Sequence, residues 1–535
     1  MIDPDERQPS SLGPNGADGR AASERRLSRA QLQQRAIKGA YWTLLHTVIS
    51  IPLAFGVNIL IARVLGPTDY GRLAYLTTVI TITMSVITSG ISTGVVQFGA
   101  KAHARGDEHT VKELLSTSQA IHMVTIAPIA TLVVLSIADV GPTMLTLAIV
   151  FGVIIPAVLG SITYCLGIEN KTAQGAQNAM LVNLLTQGAV ILAVVFVQTA
   201  DSVWVARLVT GGVGVALALF YVAPAYRKAV IRPRFHRMPP GFWRFAIPAG
   251  AAGALSAMIS SRMEVVVLTW MSAGDVVGIF ALAFGVAGHL FGPAQALVGP
   301  LIPAISGLHE VDRGSVQTAL LRTLRASSTV LALLLAAAVP LFAFLIPVLY
   351  GEAFASASPV LLVLGVSGGL AVIVSPLKAF MMARLSGRTL LLVNVAAVIV
   401  DLALMLVLVP FLGLWGAVIG NVAASLTQII IVMITEARAL KVRNSNMLHS
   451  ILPYAVGTVA CALAWFGTGA LRLSAVPSAA VAASAGIVIV ILLIRLLRVG
   501  LTLADVGAVV SALPSWSRRT AQIVLRLCSS PRARD

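Results

Sequence analysis

The chain has 535 residues, of which 57% are hydrophobic and 11% charged, where ordinary soluble domains carry about a quarter charged residues. So few charges cannot cover a water-soluble protein of this size, so the excess apolar area must face lipid. The net charge of +17 sits in tails and connections between apolar runs, so membrane topology accounts for it and a nucleic-acid partner is excluded.

In chain order, residues 1–39 are polar, charged and contain Pro and Gly, and read as a disordered cytoplasmic tail. The apolar run that follows is too long for a signal-peptide core and has no cleavage site, so it reads as an uncleaved anchor. A bilayer core needs about 20 apolar residues per helix. Fourteen spans meet that length: 40–62, 74–98, 114–137, 142–168, 179–198, 202–225, 242–271, 276–304, 326–350, 359–382, 390–410, 412–435, 450–470 and 477–497. Asp201 and Phe411 mark tight hairpins between neighbouring spans. With the N-terminus in the cytoplasm, 31 of the 38 Lys and Arg residues fall in inward-facing tails and loops. Only Arg63, Arg72 and Arg472 face outward, and the remaining four lie inside spans. A miscounted span would invert every later loop, so this bias supports both the number and the orientation, with both termini cytoplasmic. All loops are short, which leaves no room for an external domain.

Two landmarks recur at one offset. Gly66-Pro-Thr-Asp-Tyr-Gly71 precedes the second span and Gly274-Asp-Val-Val-Gly278 precedes the eighth, so Gly71 and Gly278 stand 207 residues apart. Thr110-Val-Lys-Glu113 reads as a capping box opening the third span, with Ser315 as its counterpart 205 residues on. A shared offset predicts a parallel duplication. The expected organisation is all-α and integral to the membrane. Residues 1–39 form the tail, 40–226 a six-helix lobe, 227–241 a basic cytoplasmic loop, 242–436 a second six-helix lobe, 437–498 an added helix pair, and 499–535 a basic cytoplasmic tail.

Several stretches resemble a known family. Ala62-Arg-Val-Leu-Gly-Pro-Thr-Asp-Tyr-Gly71 is similar to the segment after the first helix of polysaccharide and O-antigen-type oligosaccharide flippases. In order follow Phe245-Ala-Ile-Pro248, Val277-Gly-Ile-Phe-Ala-Leu-Ala283, Leu349-Tyr-Gly-Glu-Ala-Phe354 and Val409-Pro-Phe-Leu-Gly-Leu-Trp-Gly-Ala417. Together they span roughly residues 36 to 440; the last two spans and the tails carry none of the pattern. The resemblance also extends to the superfamily that holds multidrug and toxin extruders and the lipid-linked peptidoglycan-precursor flippase. It implies two pseudo-symmetric lobes around a central cavity, alternating access in a bacterial cytoplasmic membrane, and a polyprenyl-pyrophosphate-linked oligosaccharide as cargo. A polysaccharide polymerase and glycosyltransferases of the same pathway are the implied partners, beside membrane lipids.

Ionisable groups at membrane depth are costly and usually face a cavity or a partner. Arg207, Arg244, Arg262, Glu264, Lys378 and Asp401 are the candidates. Arg244 and Lys378 lie toward the inner side, where they can snorkel to headgroups. Arg262 and Glu264 are two apart and point away from each other on a helix, so at least one meets another helix or an aqueous lumen. Glu264 shares a stripe with Ser256 and Ser260, Asp401 with Asn394, Asn421 with Ser425 and Gln428, and Asn183 with Gln187. Interhelical hydrogen bonds account for any one of these; as a set, they predict a polar cavity in which Arg262 meets the cargo's pyrophosphate. Cys165, Cys461 and Cys528 lack metal or CxxC spacing and read as apolar fillers. His46, His122 and His289 read as satisfied core histidines. Pro248 and Pro300 are candidate hinges among prolines that mostly kink helices. Residues 513–527 read either as a basic helix on the inner leaflet or as a solvated tail.

Two other functions compete with a flippase. An extruder of small cations relies on acidic intramembrane groups, and here four basic groups face two acids. A membrane polymerase or glycosyltransferase needs an external domain for which there is no length. The expectation is a non-enzymatic transporter without a cofactor; the sequence leaves open whether a proton, a sodium ion or the membrane potential drives it.

Overall fold

The structure is a computed structural model and describes residues 29–260, 263–296, 313–383, 387–512, 518–519, 522 and 526–529. The described residues are helical apart from connecting segments, the longest of them irregular over 233–239, and one isolated bridge between Leu501 and Ser529. The first half of the chain forms α1 (Arg29–Ala104), α2 (Glu108–Ile137), α3 (Pro142–Leu159), α4 (Ser161–Ile168), α5 (Thr172–Phe196), α6 (Ala200–Ala218) and α7 (Pro224–Ile231). The second half forms α8 (Phe242–Ser260), α9 (Met263–Met271), α10 (Gly274–Ala296), α11 (Arg313–Tyr350), α12 (Ala357–Ala383), α13 (Gly387–Leu412) and α14 (Leu414–Ala439). Then come α15 (Asn444–Ala470), α16 (Ala475–Leu496) and the short α17 (Leu503–Ala512).

Among the described residues, thirteen helices are long and apolar enough to cross a membrane. The first of them holds two of the spans expected from sequence. Its backbone leaves helical geometry at Gly66 (φ 72°, ψ 177°), a conformation that glycine adopts without a Cβ penalty. Tyr70 then donates a hydrogen bond to Asn58 Oδ1 at 3.0 Å. Twelve residues along an unbroken helix would separate these groups by about 18 Å, so the chain folds back at Gly66.

Local chemistry sets other boundaries. The third span is capped by Asp107 rather than by the Thr110 box: Asp107 Oδ1 accepts from Thr110 N at 3.0 Å, and Oδ2 from the Thr110 hydroxyl at 2.6 Å. These bonds hold the Asp107 carboxyl below the usual carboxylate range. A carboxylate there also opposes the positive end of the helix dipole better than a hydroxyl does. Two π-turns, His122–Ile126 and Val150–Ile154, each end two residues before a proline, Pro128 and Pro156. A proline lacks the N–H that would bond one turn back, and a widened turn absorbs the mismatch.

The two halves meet through α1, which packs on α5 in its own half and on α8 and α10 in the other. Glycines permit the closest approaches: a Cβ on Gly278 would lie 1.9 Å from Pro67 O, and one on Gly250 would lie 2.6 Å from Gly90 Cα. On one face Arg72 ties three turns together, through Asp201 (Nε–Oδ1 3.0 Å) and the Asp139 carbonyl (2.7 Å). Arg63 reaches Leu349 O at 2.7 Å across the two halves. The thirteenth and fourteenth spans, α15 and α16, pack on α11, with Gly457 against Ala332 and Gly486 against Ala336. On the opposite face Asp505 of α17 is 1% exposed and takes Arg325 (3.0 Å) and Arg322 (3.5 Å) from α11. Most of 513–527 lies outside the described residues; at its end Leu527 O accepts from Arg495 Nε of α16 at 2.9 Å. The three cysteines are buried and form no disulfide among the described residues, and Cys165 Sγ donates to Glu169 Oε2 at 3.6 Å.

Candidate functional site

The first half carries a polar cavity of about 370 Å³. The two arms of α1 supply Asn58, Tyr70, Thr77, Thr78 and Thr81; α5 supplies Gln187, α6 Arg207, and α10 of the other half His289. Thr77 and Thr81 stand one turn apart on one face, and Thr81 donates back to Thr77 O at 2.7 Å. That bond leaves the Thr81 oxygen free to accept from a solute. Among the described lining residues there is no carboxylate, and Arg207 is the one permanent cation. Such a cavity favours an anion with hydroxyl-rich substituents: a guanidinium pairs with phosphate or carboxylate, while threonines and amides suit hydroxyls. Its volume falls within the roughly 300–1,000 Å³ of small-ligand sites.

The second half holds a separate, buried polar core between α9, α12, α13 and α14. Lys378 of α12 donates to Asn394 Oδ1 of α13 (3.2 Å) and to Gln428 Oε1 of α14 (3.3 Å). Deeper in, Asn421 of α14 donates from Nδ2 to Glu264 Oε1 of α9 and accepts the hydroxyl of Ser367 of α12. Ser425 Oγ lies 2.8 Å from Ser367 Oγ. Asn394 and Asp401 are seven residues apart, as are Asn421 and Gln428, so the two tiers stand about 10 Å apart along the antiparallel pair. Asp401 is 2% exposed and an electrostatic neighbour of Glu264. Its Oδ1 finds no hydrogen-bond partner among the described residues. Gly420 makes this possible, because a Cβ there would sit 2.9 Å from that oxygen.

Of the residues expected to line one cavity, Arg207 and Gln187 line the cavity of the first half. Glu264, Asn394, Asp401, Asn421 and Gln428 gather in the buried core instead. Arg262 and Pro300 lie outside the described residues. Arg244 is exposed, in keeping with snorkelling. His122 is a satisfied core histidine, bonded to Ser118 O (2.7 Å) and Tyr164 (3.1 Å), and His289 is among the residues lining the cavity. Sequence reasoning did not find Asn58, Ser367 or the Thr77–Thr78–Thr81 stripe, and it placed Lys378 at the headgroups. The threonine stripe was a readable signal; Lys378 was not, because its partners sit on two later helices.

The fold is that of known transporters. A structure titled lipid II flippase MurJ, inward closed conformation, superposes with a TM-score of 0.62 at 12% identity, covering 85% of this chain and 99% of that one. An inward-facing multidrug resistance MATE family transporter of the MOP superfamily gives 0.53 at 16% identity, over 75% and 99%. A MOP superfamily transporter from Pyrococcus furiosus gives 0.51 at 14% identity, over 76% and 96%. No curated protein sequence matches the chain significantly. Residues 36–309, just over half of the chain, match the sequence model of the polysaccharide biosynthesis protein family, and the chain therefore belongs to that family.

Proposed function

We propose that this multi-pass membrane protein is a flippase. In this reading it carries a polyprenyl-pyrophosphate-linked oligosaccharide from the inner to the outer leaflet of a bacterial cytoplasmic membrane, by alternating access around the α1–α5–α6–α10 cavity. The observation that carries the reading is the cavity lining, where Arg207 stands among hydroxyls and amides and none of the described lining residues is a carboxylate. An extruder of small cations would need the opposite charge in that place. Arg207 takes the pyrophosphate, the threonines and amides take sugar hydroxyls, and the polyprenyl chain stays in lipid. No bond is made or broken, so the protein acts as a carrier and delivers its cargo to the outer leaflet, where a polymerase of the pathway would use it.

The test is Arg207→Gln in reconstituted vesicles loaded with a short polyprenyl-pyrophosphate saccharide. Losing a charge-assisted contact should slow flipping about 10- to 100-fold, with Arg207→Lys in between because an ammonium lacks the planar fork. Unchanged flipping by Arg207→Gln at normal protein abundance would remove the cavity from the cargo route.

A further inference from the structure

The segment joining the two halves is pinned rather than loose. Ser116 Oγ of α2 donates to Arg232 O at 2.7 Å, Arg234 N donates to Ser116 O at 3.3 Å, and His236 N donates to Thr117 Oγ1 at 2.9 Å. Beneath it lies an open niche of about 610 Å³ between α2 and the start of α8, lined by Thr117, Ile121, Thr125, His236, Arg237 and Trp243 among others. The His236 ring is turned to Glu113, with Nδ1–Oε1 at 3.5 Å. Arg237 is exposed and makes no hydrogen bond or ion pair with any described residue. Its charge is therefore available to an occupant of the niche.

The setting selects the occupant. Trp243 is the second residue of a membrane span that begins at Phe242, which places it at the water–lipid boundary. Beyond it Ile247 is 65% exposed, and on α2 Val124 is 63% exposed. The niche thus has a cationic, hydroxyl-bearing roof and apolar walls that open to lipid. Arg227, Lys228, Arg232, Arg234 and Arg237 crowd the same short segment, and basic pockets at this depth attract anionic headgroups. None of its described lining residues is shared with the Arg207 cavity.

We propose that this niche is a binding site for an anionic glycerophospholipid. Arg237 and the Thr125 hydroxyl hold the phosphate, and the acyl chains run over Trp243, Ile247 and Val124. The bound lipid fastens the connecting segment to α2 and α8 at once, and so couples the junction of the two halves to the charge of the surrounding leaflet. The leaflet is the inner one in the orientation argued from the loop charges; the site itself does not depend on that orientation or on the cargo.

Nanodiscs containing acyl-brominated phosphatidylglycerol or acyl-brominated phosphatidylcholine test it. The emission due to Trp243, taken as the difference between the unaltered protein and Trp243→Phe, should be quenched at about fivefold lower mole fraction of phosphatidylglycerol. Arg237→Gln should abolish that preference, while Arg472→Gln, on another connection, should leave it intact. Equal quenching by both lipids, or a preference that survives Arg237→Gln, overturns the proposal. So does displacement of phosphatidylglycerol by an equal or smaller amount of polyprenyl pyrophosphate, which would assign the niche to cargo. Both lipids occupy both leaflets of a nanodisc, so an error in orientation would not produce either result.

Discussion

Asn421 commits both ends of its amide inside the membrane, to the Glu264 carboxyl and to the Ser367 hydroxyl. At that depth no water replaces a lost partner, so Asn421→Ala strips a donor from a 1%-exposed carboxyl and an acceptor from Ser367. The expected loss is about 1–3 kcal/mol of stability, read as a lower thermal unfolding midpoint in detergent. Glu264→Gln should then cost less in the Asn421→Ala background than alone, because groups sharing one network do not add. Additive effects of the two substitutions would show that the contact carries no energy. Glu264, Asn421 and Gln428 could be read from sequence because each is an anomaly, a polar group within a long apolar run. Where such a group points is a different matter. Rotation of a helix about its axis depends on neighbours that one sequence does not order, and so these residues, expected in an open cavity, close a core around Lys378 instead.

The contact of α1 with α10 is tightest where backbone meets backbone, with Pro67 O and Gly278 leaving no room for a Cβ. Gly71 lies beside it, its own virtual Cβ 2.4 Å from Gly274 O. Gly278→Ala must therefore push the α1 turn away from α10 and loosen the closure on that face. A cysteine at Thr81, which lines the cavity, should react several-fold faster with a water-soluble maleimide in that variant. Gly211→Ala, where a Cβ would meet nothing within 4 Å, should leave the rate alone. Equal Thr81→Cys reactivity in both backgrounds would mean that this contact does not gate the cavity. The helices themselves were legible, since a run of apolar residues near bilayer length has few other solutions. Their ends were less so. Competing caps such as Asp107 and Thr110 differ by fractions of a kcal/mol, and π-turns leave no trace in periodicity beyond the proline that follows.

Gly71 and Gly278, found at one offset in the sequence, touch each other across the two halves: a Cβ on Gly71 would lie 2.8 Å from Gly278 N. Equivalent residues of a duplication that meet must lie near the axis relating the copies, so the repeat supports a pseudo-twofold running through this contact. The loop ties follow the expected sidedness as well. Arg72 joins the turns at Asp139 and Asp201, and Arg63 joins the turn before Gly351, all expected outside. His103 meets Tyr226 at 3.1 Å, Lys171 meets Tyr221 O at 2.7 Å, and Arg325 meets Asp505, all expected inside. None of these ties joins an inner to an outer connection, which an odd error in the number of crossings would force. The orientation itself rests on the charge bias alone, and labelling decides it. Ser356 and Ser445 are exposed and fall on opposite predicted faces. The native cysteines are a quiet background, all three buried, with burial pushing the Cys528 thiol up to about 11. A membrane-impermeant maleimide should therefore modify Ser356→Cys in intact cells and Ser445→Cys only after the membrane is opened. The reverse pattern would invert the protein and the proposed direction of flipping. Labelling of both sites in intact cells would break the count of crossings between α12 and α15.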